Sequence, residues 1–201
     1  MSDAIGLYHN TAGSIETYTG KFFPVLSPSP RHVDIEDIVH ALSNICRYNG
    51  HSVQFYSVLH HSILVHDYLK ERGHNGRLLL VALLHDAAEA YTGDCTRPLK
   101  CSEEMYQYRV AYDRVEDAVF AAFDLTTKWE HPDEWKLIKI ADNAVLMAEA
   151  KRFMATKGKD WAFGGAEPAK IPWWKWQVYR VPFVCRLGFM RRYRAAMRAT
   201  S

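Results

Sequence analysis

The sequence predicts an all-α fold. Apolar residues recur at helical spacing in several separate stretches, residues that start and stop helices punctuate those stretches, and strand-like alternation never persists beyond four residues. A chain of 201 residues with 48% apolar and 24% charged residues has ordinary globular usage and can bury one full core. A single domain over residues 1–201 is expected, with its core at about 34–153. The N-terminal segment 1–33 would pack on that core, and 154–201 would form a C-terminal extension.

The first segment is poor helix material. "TYTGKFFPVLSPSPRH" mixes prolines and a glycine with aromatic residues, which implies turns and short extended pieces packed on the body. From Asp34, a ready N-cap, Ile35, Ile38, Val39, Leu42, Ile45 and Cys46 follow helical spacing, with Gly50 as the stop. A second helix should run from after Ser57 to Gly73. A third, from about Gly76 to Tyr91, contains "LLLVALL". It is apolar on every side and so is the expected central helix.

A fourth helix fits Ser102 to Asp124, with Glu103 and Glu104 favourably placed in its first turn. A fifth fits Pro132 to about Phe153, with proline at the first helical position. A long irregular Trp/Pro-rich segment, "ATKGKDWAFGGAEPAKIPWWKWQVYRVP", separates it from a last, basic helix after Pro182.

Charged groups at the end of the apolar run are the feature that asks for chemistry. In "LLLVALLHDAAEAYTGD", His85, Asp86 and Glu89 follow at once, and on a helix Glu89 neighbours both members of the doublet. Buried charges are costly unless paired or bound to metal. Imidazole plus carboxylate suits Zn, Mn, Co, Ni or Fe.

The second doublet, His66-Asp67, lies off the apolar stripe of Val58, Val65 and Leu69 and is assigned to the solvated surface. His60 is assigned there too. His61 falls on the stripe and faces inward. Asp142 lies four after Ile138 and three before Val145, also on an apolar face, as does Glu149 seven residues on. Two readings stay open for Asp142: a metal ligand, or a buried pair with an Arg or Lys from elsewhere.

The order His61, then His85-Asp86, then Asp142, on three separate helices, resembles the HD-domain metal-dependent phosphohydrolases. "RYNGHSVQFYSVLHHSILV" is similar to that family's stretch around its first histidine. "LLHDAAEAYTGDCTRPLK" resembles the bacterial HD-domain 5'-deoxynucleotidases. "LSNICRYNGH" is similar to phage HD-domain proteins that include dATP triphosphohydrolases. The likeness spans Tyr18 to Phe153.

It implies a compact HD-domain helical bundle in which His61, His85, Asp86 and Asp142 hold a divalent metal ion (Zn, Mn, Co, Ni, Fe or Mg). Glu89 would be the catalytic acidic residue that positions or activates water, with Asp94 a second candidate. Arg47 would contact phosphate. Tyr48 replaces the nucleotidases' tryptophan. Lys100 would also approach phosphate, Arg97 could serve a polyphosphate, and His51 lies within reach of a phosphate or second metal.

The expected activity is hydrolysis of phosphoester bonds in deoxynucleotides, as a dNTP triphosphohydrolase or a dNMP 5'-nucleotidase. The alternatives are a cyclic-nucleotide or alarmone phosphohydrolase, and a non-catalytic nucleotide-binding regulatory protein. The expected partner is a small-molecule nucleotide, and a homo-oligomer is expected. A net charge of +2 gives no general attraction for nucleic acid, and the basic last helix (Arg186, Arg191, Arg192, Arg194, Arg198) reads as a solvated face or subunit contact. Scattered cysteines, no signal-like start and no long apolar run point to a cytoplasmic protein outside the membrane.

Overall fold

Capping chemistry sets most helix boundaries in the computed structural model, which describes residues 13–125, 130–159, 161 and 166–200. Residues 1–12 of the expected N-terminal segment and part of the Trp/Pro-rich stretch lie outside them. The protein is mainly helical, as the sequence predicts.

The N-terminal segment opens with a small antiparallel hairpin, β1 (Ser14–Glu16) and β2 (Phe22–Pro24). Phe23 is fully buried and stacks on Tyr91 at 3.7 Å, while Thr19 bonds to Asp37 through both its N–H and its hydroxyl. Helix α1 (Ile35–Asn44) is capped by Asp34, whose carboxylate accepts the Glu36 N–H. It ends short of Gly50. The chain turns extended so that Cys46 bridges Ser57, and Arg47–Gly50 forms a tight 3-10 turn.

Ser57 caps α2 (Val58–Lys70) by accepting the His60 N–H. Helix α3 (Gly76–Leu84) is buried along nearly its whole length and packs against α2 and against α9 (Pro182–Thr200), making it the central helix. It stops at Leu84 instead of running on to Tyr91. In a continued helix the Ala82 carbonyl would accept the N–H of Asp86; instead it accepts His85 Nδ1–H at 2.9 Å. The backbone then tightens to three-residue spacing, Ala87 N–H to Leu84 and Glu89 N–H to Asp86, before α4 (Glu89–Thr92). Gly93, at φ 80°, ends α4 in the left-handed region that glycine reaches without strain.

A short turn of helix, α5 (Arg97–Lys100), follows. Glu103 and Glu104 sit in a 3-10 turn before α6 (Tyr106–Ala122), so this helix is shorter at both ends than its sequence pattern implies. Helix α7 (Pro132–Phe153) has the expected bounds, with Pro132 in its first turn. The Trp/Pro-rich segment, expected to be irregular, contains one short helix, α8 (Trp173–Val178).

Three surface assignments are overturned. His60 is buried among the rings of Tyr56, Trp176 and Tyr179, and burial pushes its imidazole down to about 3, so it stays neutral. His66 and Asp67 are buried as well. Asp67 accepts from Arg192 Nε at 2.7 Å and Nη2 at 2.8 Å, and Lys175 Nζ lies 2.8 Å away. The sequence pattern missed this because α2 is covered on its outer side by the C-terminal extension, which buries a second stripe of the helix. The last helix is therefore only partly a solvated basic face: Arg192 is buried, while Arg191, Arg194 and Arg198 are exposed.

Candidate metal centre and active site

α2 brings His61, the turn after α3 brings His85, and α7 brings Asp142 into one cluster, with Asp86 beside the two imidazoles. Both imidazoles have one nitrogen committed. His85 Nδ1–H donates to the Ala82 carbonyl, which accepts only, so the proton is on Nδ1. His61 Nδ1 donates to Glu149 Oε1 at 2.6 Å. Each Nε2 is then the nitrogen left for a ligand, and each is buried without a hydrogen bond of good geometry. His61, His85 and Asp142 each present a ligand atom within 4.8 Å of the others, so the cluster can hold a metal ion.

The spacing tests the fit. Four ligands at ~2.1 Å around a tetrahedral ion lie about 3.4 Å from one another. His61 Nε2 is 3.3 Å from Asp142 Oδ1, His85 Nε2 is 3.3 Å from Asp86 Oδ2, and His61 Nε2 is 3.7 Å from Asp86 Oδ2. These distances fit neighbouring ligands of one cation, but the set in mutual reach is His61, His85 and Asp142; Asp86 approaches the two imidazoles and falls outside that common range.

Electrostatics holds the acids ionised. Burial opposes ionisation of Asp86 and Asp142, but the imidazoles beside them outweigh it and lower both carboxyls. At His61, burial and Arg47 oppose the charged ring, while Glu149 and Asp142 prevail and raise it to about 9, so a proton competes with metal at Nε2.

The two oxygens of Asp142 divide between the cluster and cations, and the lysine that pairs with it stands on its own helix. One oxygen faces His61, and the other accepts from Lys139 Nζ at 2.6 Å, with Arg97 Nη2 at 3.7 Å. Lys139, one turn before Asp142, reaches the cluster and was not singled out from the sequence. Its side chain is more than half exposed, so these two cations reach the centre from solvent.

Glu89 is buried with Oε2 unpartnered, and burial, Asp86 and Asp94 raise its carboxyl well above the usual range. Asp94 is raised more modestly, chiefly by burial. Lys100 lies with Nζ 3.4 Å above the ring of buried Tyr112, and its charge bears on both Glu89 and Asp94. Helix α6 grips the segment that carries these groups: Tyr108 donates to the Gly93 carbonyl at 3.3 Å, and Arg109 to the carbonyls of Lys100, at 2.8 Å, and Ser102.

Arg47 points inward, 3.6 Å from Asp86 and 3.3 Å from Glu149. Tyr48 follows it with φ 57° and Asn49 with φ 49°, both left-handed, a costly conformation for a tyrosine. The turn directs the Tyr48 hydroxyl to Glu149 Oε2 at 2.5 Å. His51 closes the turn and is exposed. Glu149 is the second residue the sequence reasoning left without a role. Its signal was available: it lies seven residues, about two helical turns, beyond Asp142 on the same apolar face.

Comparison with known proteins finds two relatives of matching extent. The chain is 32% identical over 190 residues to an uncharacterized protein of Rhodobacter capsulatus, covering 91% of this chain and 95% of that protein. It is 30% identical over 147 residues to the uncharacterized protein YfdR of Escherichia coli K12, covering 73% of this chain and 76% of YfdR. No protein-family model matches the chain.

Proposed function

The chain belongs to the family that includes the Rhodobacter capsulatus protein and YfdR, and for it we propose metal-dependent hydrolysis of phosphoester bonds in deoxynucleotides, in the manner of the HD-domain phosphohydrolases. One observation supports this above the others: two buried imidazoles, each with Nδ1 already committed, turn Nε2 toward a point flanked by Asp86 and Asp142.

These four side chains would hold the ion. The two-nitrogen, two-carboxylate set favours Zn, Mn, Co, Ni or Fe over Mg, which prefers an oxygen shell. When bound, such an ion lowers the pKa of water to near neutral and draws charge from a phosphoryl oxygen.

The residues around it supply the rest. Glu89, buried and with a free carboxyl oxygen, holds or accepts the proton that water loses on attack. Asp94 adds negative charge that keeps Glu89 basic. Lys100, Arg97 and Lys139 carry positive charge to the equatorial oxygens of the transferring group. Arg47 is nearly buried and balances Asp86 and Glu149 from within.

Three cations beside one metal point to a polyphosphate more than a monophosphate, which favours the triphosphohydrolase form of the activity. Tyr48 and His51 would border the nucleoside.

The setting is read as cytoplasmic: all four cysteines are unpaired, and no helix among the described residues is long and apolar enough to cross a membrane. A homo-oligomer remains part of the reading, since Trp173, Trp174 and Phe183 are exposed on the C-terminal extension.

The test is metal-replete protein against a panel of dNTPs, dNMPs, cyclic nucleotides and ppGpp, with phosphate and tripolyphosphate measured separately. Tripolyphosphate from dNTPs is the expected result. Turnover of cyclic nucleotides or ppGpp alone would replace the proposal, and nucleotide binding with no turnover would favour a regulatory protein.

A further inference from the structure

A fully buried carboxylate lies behind the metal centre. Glu149 has no exposed surface, yet both its oxygens are engaged. Oε1 accepts from His61 Nδ1 at 2.6 Å and from the Tyr56 hydroxyl at 2.7 Å. Oε2 accepts from the Tyr48 hydroxyl at 2.5 Å and faces Arg47 at 3.3 Å. Taking a carboxylate out of water is costly, and an apolar side chain would fill the space without that cost. A satisfied buried network of this kind fixes orientation more than it adds stability.

We infer that Glu149 is the positioning residue of the metal centre: it locks His61 as the Nδ1–H tautomer and turns its Nε2 toward the shared cation, while Tyr56 and Tyr48 clamp the carboxylate. This rests on the proposed metal site and goes beyond it.

The placement explains why one helix carries both groups. Asp142 and Glu149 are two turns apart on α7, so a single rigid element sets one ligand directly and orients another. The Glu149 bond thereby ties the His61 ring, carried by α2, to the helix that carries Asp142. Tyr56 belongs to a packed aromatic group with Phe153, at 4.8 Å, and Trp176, at 6.1 Å. The clamp on Glu149 is therefore held in turn by the C-terminal extension.

Carboxylates that hold a ligating histidine contribute roughly 10–100-fold to metal affinity. The test is Co(II) titration of the full chain, followed by visible absorption, for wild type, Glu149→Gln and Tyr56→Phe, with far-UV circular dichroism on each metal-free protein. Glu149→Gln should keep its helical signal, bind Co(II) about 10–100-fold more weakly and give altered absorption bands at saturation. Tyr56→Phe should move affinity in the same direction by less.

Wild-type affinity and an unchanged spectrum in Glu149→Gln would overturn the inference while leaving the metal site standing. If Glu149→Gln does not fold, Tyr56→Phe combined with Tyr48→Phe carries the test, and unchanged Co(II) binding in that variant overturns it equally. A wild-type protein that binds no Co(II), Zn(II) or Mn(II) would remove the metal site itself, and this inference with it.

Discussion

Replacing Asp67 by asparagine should destabilise the protein severely without touching the metal cluster. Asp67 accepts two parallel bonds from Arg192 at 2.7 and 2.8 Å, lies 2.8 Å from Lys175, and bonds to His66 at 2.9 Å. The side chains of Asp67, Arg192 and Lys175 are each about nine-tenths buried. Removing one partner of such a group leaves the buried Arg192 charge uncompensated, though Lys175 keeps Glu71 at 3.0 Å, and costs roughly 3–5 kcal/mol. For a chain of this size that is a fall in melting temperature of about 6–20 °C.

The effect has a pH signature. Burial opposes ionisation of Asp67, but its bonds to His66, Arg192 and Lys175 outweigh it and lower the carboxyl far below the usual range. A carboxyl depressed on folding stabilises the protein above its unfolded pKa of ~3.9, and that stabilisation fades as pH falls toward the folded value. The gap in melting temperature between wild type and Asp67→Asn should therefore be constant near neutrality and narrow in acid below pH ~4. Thermal unfolding followed by circular dichroism across pH measures both. A neutral-pH gap under ~2 °C, less than one kcal/mol at this size, would refute the reasoning. So would a gap that widens in acid.

Glu89→Gln should retain metal and lose roughly 10²–10⁴-fold in turnover; full activity with metal bound would remove Glu89 from the chemistry. Lys139→Ala should raise KM for a nucleoside triphosphate and cut kcat/KM about 10–100-fold, as expected for a lost charged hydrogen bond. Metal affinity in that variant should hold or improve, because a cation competing for Asp142 is gone, and an unchanged KM would place Lys139 outside the substrate site. Metal affinity should climb with pH by about tenfold per unit while His61 must surrender its proton, then level off near the pKa of about 9 set by Glu149 and Asp142 against burial. Calorimetric titration in buffers of different ionisation heat measures that proton release, and a flat profile would show that no proton has to leave His61 Nε2.

Helices whose identity depends on their own residues were legible in the sequence. α7 begins at Pro132 and ends at Phe153 as its pattern dictates, and Ser57 and Asp34 cap where expected. The inward direction of His61 and Asp142 followed from apolar neighbours at helical spacing. What the sequence hid depends on partners distant along the chain. The stripe of α2 carrying His66 and Asp67 looks polar until Arg192, 125 residues later, covers it.

The break after Leu84 was hidden for a local reason. A side chain, His85 Nδ1, takes the carbonyl that the backbone would have used, and no apolar periodicity reports that. Glu149 sat in view on the same face as Asp142, but its role became visible only once His61, Tyr56, Tyr48 and Arg47 were seen to converge on it. The direction of Arg47, inward to Asp86 and Glu149, likewise depends on a left-handed turn at Tyr48 and Asn49 that residue type alone would not select.

The most direct measurement is metal content and affinity of the purified chain beside His61→Ala, Asp86→Ala and Asp142→Ala. The account predicts a single tightly held divalent transition-metal ion per wild-type chain and its loss from each variant, with the helical fold preserved. Three variants that keep the ion as tightly as wild type would show that these side chains, though gathered at one point, share no cation.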